Sequence, residues 1–280
     1  MQIFTKVSDL QNHLSQLRAQ GLSIGFVPTM GALHSGHLAL IDHASRENDI
    51  SIISIFVNPT QFNNKTDLAK YPREVVSDIA KLEKTGCDII FLPSEEEMYP
   101  EKTESIKIDL NGLDTVMEGA HRPGHFDGVA TIVGRFFEIV NPTKAYFGEK
   151  DFQQLLIIRQ LTKVMGFNVE IIPHPIERSQ KGLALSSRNQ LLSDEDQEKS
   201  LIIWESLNWM KENYKDHSPQ ELINLVSQRF EGSELELEYA QIVNENTLLP
   251  LDSWSNTDPA RAFIAAYISG VRLIDNLQLI

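Results

Sequence analysis

Cysteine is almost absent from this chain: Cys87 is the only one among 280 residues. An intrachain disulfide is excluded, a cysteine-built zinc site is disfavoured, and a reducing compartment fits. Cationic side chains are also in short supply. Lys plus Arg total 25 against 39 Asp plus Glu, a formal charge of −14. On average such a surface repels long nucleic acids and anionic membranes, although a few cations and helix-start amides still suffice for a local anion site. The opening residues lack a basic stretch followed by an apolar one, and no apolar run approaches membrane-spanning length. There is no internal repeat and no low-complexity tract. The expectation from these features is a cytoplasmic globular enzyme with neither nucleic-acid nor membrane partners.

What is present supports a sizeable core: 41% of the residues are apolar, enough for one large domain or two. Residues 22–28 form an apolar run of strand length, followed by Thr29-Met30-Gly31 and then by Leu38, Ile41 and Ala44 at helical spacing. Residues 50–57 are rich in isoleucine and close on Asn58-Pro59, and 88–92 stop at Pro93. A helix rich in Lys, Leu and Glu between those two strands gives βαβαβ, the order of a parallel sheet. A helix over 129–140, a strand over 145–147, a helix over 152–165 and a strand over 169–172 continue the alternation. After Pro173 and Pro175 the pattern changes to a loop, a charged helical region with Trp204, Leu207 and Trp209, and a strand over 237–243. This reads as an α/β first domain over 1–175 and a smaller second domain over 176–280.

Three loops carry candidate chemistry. Residues 28–37 join a strand to a helix at the edge of a parallel sheet where ligands bind. Two histidines three apart, His34 and His37, share one side of the helix start, and Gly31 and Gly36 allow close backbone approach. Imidazole and amide donors there suit an anion, and in nucleotidyl transfer from ATP they stabilise charge building on the oxygens around the α-phosphorus. Taken alone, the pair reads first as a polar cap of a surface helix, and a zinc reading would need His121 and His125 as well. The second loop is Gly148-Glu149-Lys150-Asp151 with Gln153 and Gln154 following. Its lysine can neutralise phosphate and its glutamines can read a carboxylate or hydroxyl, or Asp151 simply caps a helix. The third, Leu185-Ser186-Ser187-Arg188, offers hydroxyls, amides and a guanidinium to β- and γ-phosphates, or is an ordinary helix entry. Asn58 and Gln61 follow the second of these strands and reach the same sheet edge as the histidines.

The histidine pair and the Ser-Ser-Arg loop resemble the two signatures of class I aminoacyl-tRNA synthetases and related nucleotidyltransferases. More narrowly, PTMGALHSGH (28–37), FVNPTQF (56–62), EGAHRPGHFDGVAT (118–131), YFGEKDFQQ (146–154), GLALSSRN (182–189) and RLIDN (272–276) resemble the pantothenate synthetase (pantoate–β-alanine ligase) family in matching order across nearly the whole chain. The resemblance implies a Rossmann-like nucleotide-binding domain with a mobile α+β lid, a homodimer, and ATP with Mg2+ activating (R)-pantoate as an adenylate that β-alanine then attacks. It also implies roles by position. Met30, Gly31, Ala32, Leu33, His34, Ser35, Gly36 and His37 form the main ATP loop, with His34 and His37 on phosphate. Gly148, Glu149, Lys150 and Asp151 line the nucleotide, with Lys150 on phosphate. Leu185, Ser186, Ser187 and Arg188 close over the phosphates, and Gln61 and Gln154 read pantoate with Asn58 helping to hold the site. His34, His37, Lys150 and Arg188 are thus the implied catalytic set.

Two departures stand out. Where many relatives carry two adjacent acidic residues thought to place magnesium, this chain has Ser77 and Asp78, leaving Asp78 as the candidate metal ligand. Glu177 occupies a position commonly apolar beside the nucleotide, so an adenine contact there falls to its backbone. Rival readings are a tRNA-charging enzyme, which an acidic chain of this length leaves little room for, a transferase that stops at adenylation, and a non-catalytic nucleotide-binding regulator.

Overall fold

The computed structural model describes residues 1–62, 68–69, 71–100, 106–254 and 258–280. Six parallel strands form its main sheet: β1 (Gln2–Phe4), β2 (Ile24–Thr29), β3 (Ile50–Ile55), β4 (Ile89–Phe91), β5 (Lys144–Gly148) and β6 (Glu170–His174). Their spatial order is β1-β4-β3-β2-β5-β6. The chain runs outward in one direction from β2 and resumes on its other side at β5. The order therefore reverses between β2 and β5, and in open α/β sheets ligands bind outside the carboxyl ends of the strands at such a point.

Helices cover both faces. On one, α2 (Ser35–Glu47) and α3 (Val75–Leu82) close over Val27, Ile53, Ile55 and Ile90. On the other lie α1 (Val7–Ala19) and α4 (His125–Val140), where the Phe136 ring meets Phe26, Phe56 and Phe91 at centroid distances of 5.5, 6.4 and 6.3 Å. Phe26 and Val27 thus point to opposite layers, as the two-residue period of a strand requires. Each large apolar side chain so buried contributes roughly 1.5–3 kcal/mol. All of α4 except Asp127, Arg135 and Glu138 is buried, so the helical end of the EGAHRPGHFDGVAT stretch is interior, while Ala120, His121, Pro123 and Gly124 before it are exposed. That helix begins at His125, a turn earlier than its apolar run predicts, whereas α5 (Phe152–Met165) has the bounds read from the sequence.

The chain divides into two compact units, Met1–Glu149 with Gln153–Pro175, and Lys150–Phe152 with Ile176–Ile280. The second holds an antiparallel sheet in the order β7-β8-β9, formed by β7 (Glu236–Asn244), β8 (Ala260–Ile268) and β9 (Val271–Gln278). Helices α6 (Leu201–Asn213) and α7 (Pro219–Glu231) pack on it through Leu207, Met210, Leu222, Val226 and Phe230. The α+β character of the second part agrees with the sequence. No helix among the described residues is long and apolar enough to cross a membrane.

Candidate active site

The loop after β2 is held from within. His34 is the N-cap of α2: its Nδ1 accepts the Gly36 N–H at 3.2 Å, while Nδ1 of His37 accepts the His34 N–H at 3.4 Å, a reciprocal capping box. The two ring centroids lie 4.1 Å apart with the planes tilted by 39°. An Nδ1 that accepts must carry its lone pair, so the proton of each neutral ring sits on Nε2. The cap reading and the anion reading of this pair are therefore compatible: one nitrogen of each ring fixes the helix start and the other is a donor. Two residues earlier, Ala32 is buried in the left-handed region (φ 50°).

Asp78, the candidate metal ligand of the sequence, engages the loop backbone. It is fully buried on α3, and its Oδ2 and Oδ1 accept the N–H groups of Ala32 and Leu33 at 2.9 and 2.8 Å. Lys81, one turn on, donates to the Leu33 carbonyl at 2.8 Å and lies 3.9 Å from the same carboxylate. Among the described residues no three His, Cys, Asp or Glu side chains cluster as a metal site, and His125 turns its Nδ1 to the Gln61 carbonyl at 2.8 Å.

Gln61 sits at the carboxyl side of β3 inside a hydrogen-bonded network. Asn58, 1% exposed, donates from Nδ2 to Gln61 Oε1 (3.2 Å) and to the Gly128 carbonyl (3.1 Å). Its Oδ1 accepts from the Tyr99 hydroxyl (2.7 Å) and from Thr60 Oγ1 (3.0 Å). Both ends of the Asn58 amide are thereby used, which makes it a holder of Gln61. Burial pushes the Tyr99 phenol up, keeping it a neutral donor. With Oε1 fixed on Asn58, Gln61 points its NH2 at the Met30 thioether, 2.9 Å away, a weak acceptor that a ligand oxygen replaces at little cost. Close approach completes the arrangement: a Cβ on Gly128 would lie 2.5 Å from the Thr60 carbonyl oxygen and 2.7 Å from Gln61 Cα. Tyr99, His125 and Gly128 were not singled out for these roles by the sequence, because no spacing rule reports a contact made across 40 to 70 residues.

The two glutamines after β5 differ sharply. Gln153, 4% exposed, spends its side chain on the backbone, accepting from Glu118 N (3.0 Å) and donating to the carbonyls of Leu113 (2.6 Å) and Val116 (2.9 Å). Gln154 beside it is half-buried and makes no such bond, so its amide is the one left for a ligand. Gly148 closes β5 and Glu149 begins the short turn after it.

In the second unit, the Lys150 ammonium lies 4.0 Å from Asp151 with 17% of its side chain exposed. Ser186 caps the turn Ser187–Leu191 by accepting the Arg188 N–H at 3.2 Å, and Ser187 is buried. The Glu177 carbonyl accepts Leu185 N at 2.9 Å, so the backbone expected to meet adenine is already engaged in a loop bond, and a carbonyl oxygen can accept a second donor. Gly182 (φ 107°) lies under the Trp204 indole, where a Cβ would come within 2.0 Å of Cδ1. No side chain fits that position.

A parallel sheet with its strand-order reversal at β2 and β5, and donor-rich loops following both, defines a Rossmann-like nucleotide-binding enzyme. Comparison with known proteins narrows this. The family model described as pantoate-beta-alanine ligase matches residues 2–278. Pantothenate synthetase of Phocaeicola vulgatus is 49% identical over 280 residues and that of Bacteroides fragilis 47% over 279, each alignment covering 99% of both chains. The crystal structure of pantothenate synthetase from Thermus thermophilus matches with a TM-score of 0.92 at 42% identity, covering 100% of this chain and 99% of that one. The pantoate-beta-alanine ligase of Francisella tularensis, complexed with beta-gamma ATP and beta-alanine, matches with 0.82 at 38%, covering 100% and 98%. The chain belongs to the pantoate-beta-alanine ligase family and is a ligase.

Proposed function

We propose that the protein condenses (R)-pantoate with β-alanine, consuming ATP and releasing AMP and pyrophosphate through a bound pantoyl-adenylate. The observation that carries this reading is the reciprocal capping of His34 and His37 at the carboxyl end of β2, which orients two imidazole N–H donors before any ligand arrives. In the first step a pantoate carboxylate oxygen bonds to the α-phosphorus as the bond to pyrophosphate breaks. Charge grows on the phosphate oxygens, and fixed donors that need no reorganisation stabilise it. In the second, the β-alanine amine attacks the acyl carbon and AMP leaves.

Gln61 and Gln154 are assigned to pantoate. An acid with two hydroxyls matches amides held in fixed orientation, and analogues lacking those hydroxyls leave them unpaired. His34 and His37, with Met30 to Gly36, are assigned to the nucleotide, as are Gly148 to Asp151, the Glu177 backbone and Leu185 to Arg188. Lys150 and Arg188 are the cations on phosphate. Mg2+ enters with ATP. A small, strongly hydrated ion of this kind is held chiefly by phosphates and water, which fits a donor set in which Asp78 is occupied by loop amides. We further place the protein in the cytoplasm as a homodimer.

The test is incubation with ATP, Mg2+, pantoate and β-alanine, omitting each in turn and following AMP, pyrophosphate and pantothenate by mass spectrometry. Pantothenate that requires every component is the expected result. AMP and pyrophosphate without pantothenate reassign the acceptor, and no turnover overturns the proposal.

A further inference from the structure

The RLIDN segment lies on β9, remote in sequence from every loop assigned above, yet Asp275 and Asn276 are two of the second unit's few buried polar side chains, 4% and 1% exposed. Burying a carboxylate and an amide side by side in a sheet costs stability unless each is satisfied. Both are satisfied, by two segments outside the sheet and by Arg261 of the neighbouring strand β8. Asn276 donates from Nδ2 to the Lys150 carbonyl at 2.9 Å, while its Oδ1 accepts from Arg261 Nη1 at 2.6 Å. Arg261 in turn lies 3.9 Å over the Phe152 ring, so the short segment 150–152 is gripped at its first and last residues. On the other side, the Asp275 carboxylate takes both ends of the Arg178 guanidinium, at 2.5 and 2.9 Å. That guanidinium donates to the Gly182 carbonyl at 3.1 Å and stacks 3.7 Å from Trp204, the ring that also covers Gly182. Consecutive side chains on a strand point to opposite faces, so one dipeptide serves two loops.

We propose that Asn276 and Asp275 are positioning residues for the nucleotide: Asn276 sets the backbone from which Lys150 reaches phosphate, and Asp275, through Arg178, sets the start of the loop ending at Arg188. Neither need touch the substrate. The inference rests on the assignment of Lys150 and Arg188 to the phosphates, and the experiment separates the two.

Asn276→Asp keeps the oxygen that Arg261 requires and removes the N–H that holds Lys150, so it preserves the fold better than Asn276→Ala. It is compared with Lys150→Ala, with the double variant, and with Val226→Ala, a core substitution of the same unit that lowers melting temperature without approaching either loop. KM for ATP, KM for pantoate, kcat and melting temperature are measured for each. Asn276→Asp is expected to raise the KM for ATP about tenfold with the pantoate KM unchanged, and to add almost nothing once Lys150 is gone, since residues acting through one another are non-additive. Asp275→Asn against Arg188→Ala is expected to behave in the same way. An unchanged ATP KM, a defect that multiplies in full with that of Lys150→Ala, or an equal defect in Val226→Ala at matched melting temperature would overturn the inference. If Lys150→Ala itself leaves the ATP KM unchanged, the phosphate assignment fails and takes the inference with it. That failure is recognisable because in the other cases Lys150→Ala is defective.

Discussion

His37 holds His34 in place: its Nδ1 accepts the His34 main-chain N–H at 3.4 Å, and the rings lie 4.1 Å apart. On the proposed function, structural and chemical roles sit on different nitrogens of one ring. Asparagine supplies an acceptor near the δ position and nothing at ε. His37→Asn is therefore expected to keep the helix start, with stability within about 0.5 kcal/mol of the parent, while turnover falls about 100-fold. Melting curves beside steady-state rates check this, and parallel losses in both would contradict it.

Asp78→Asn places an amide where two backbone N–H groups need oxygens. One of the bonds to Ala32 or Leu33 is lost, at a cost of about 1–3 kcal/mol, and the KM for ATP rises. Faster hydrogen exchange at the amides of residues 32 and 33 is the direct readout. The Mg2+ concentration giving half-maximal rate is expected to stay put. A large shift in that concentration, with amide exchange unchanged, would identify Asp78 as a metal ligand.

Adjacent glutamines give opposite phenotypes. Gln153→Ala strips partners from two carbonyls and one amide in the interior and is expected to cost about 3 kcal/mol of stability. Gln154→Ala is expected to leave stability within about 0.5 kcal/mol and to impair pantoate use more than ATP use. Urea unfolding and separate KM determinations decide the matter. Comparable damage to both substrates in Gln154→Ala would remove the pantoate assignment.

Stability should carry an acid-sensitive contribution from Glu47. Hydrogen bonds from Lys144 and Tyr146 hold its carboxyl well below the usual range, from 4.5 to about 2. A depressed folded-state value contributes stability above the unfolded carboxylate's range and loses it as pH falls toward about 2. The side chain is 37% exposed, so solvent screening keeps the effect small. Urea midpoints of wild type and Glu47→Gln are expected to differ most near neutral pH and to converge in acid. A difference independent of pH would show that the carboxylate's charge is not responsible.

Much of this architecture is legible from the residues alone, for identifiable reasons. Isoleucine-rich β3 and amphipathic α5 declare themselves by composition and period, and the loops bearing His34, His37, Gln61 and Lys150 lie at the sheet edge that βαβ order implies. Strand β1 escaped because three residues carry no period, so the strand read as first is the second. Strand β8 is alanine-rich and buried on both faces, which erases alternation and lowers β propensity. Strand β9 is broken by Arg272, Asp275 and Asn276. What stayed hidden at the site was the second layer: that Asn58 is spent on Gln61, and Asp78 on a backbone 45 residues away. Side-chain direction in a folded chain settles both, and no linear pattern encodes it.

Lys150, Asp151 and Phe152 belong to the second unit although the chain on either side belongs to the first. Modular engineering of this enzyme must respect that. A chimera joined at residue 175 with the C-terminal part of a relative would match a foreign Arg261 and Asn276 equivalent to a native 150–152. The compatible exchange is a two-piece graft, in which a tripeptide buried in the upstream coding segment travels with the downstream one.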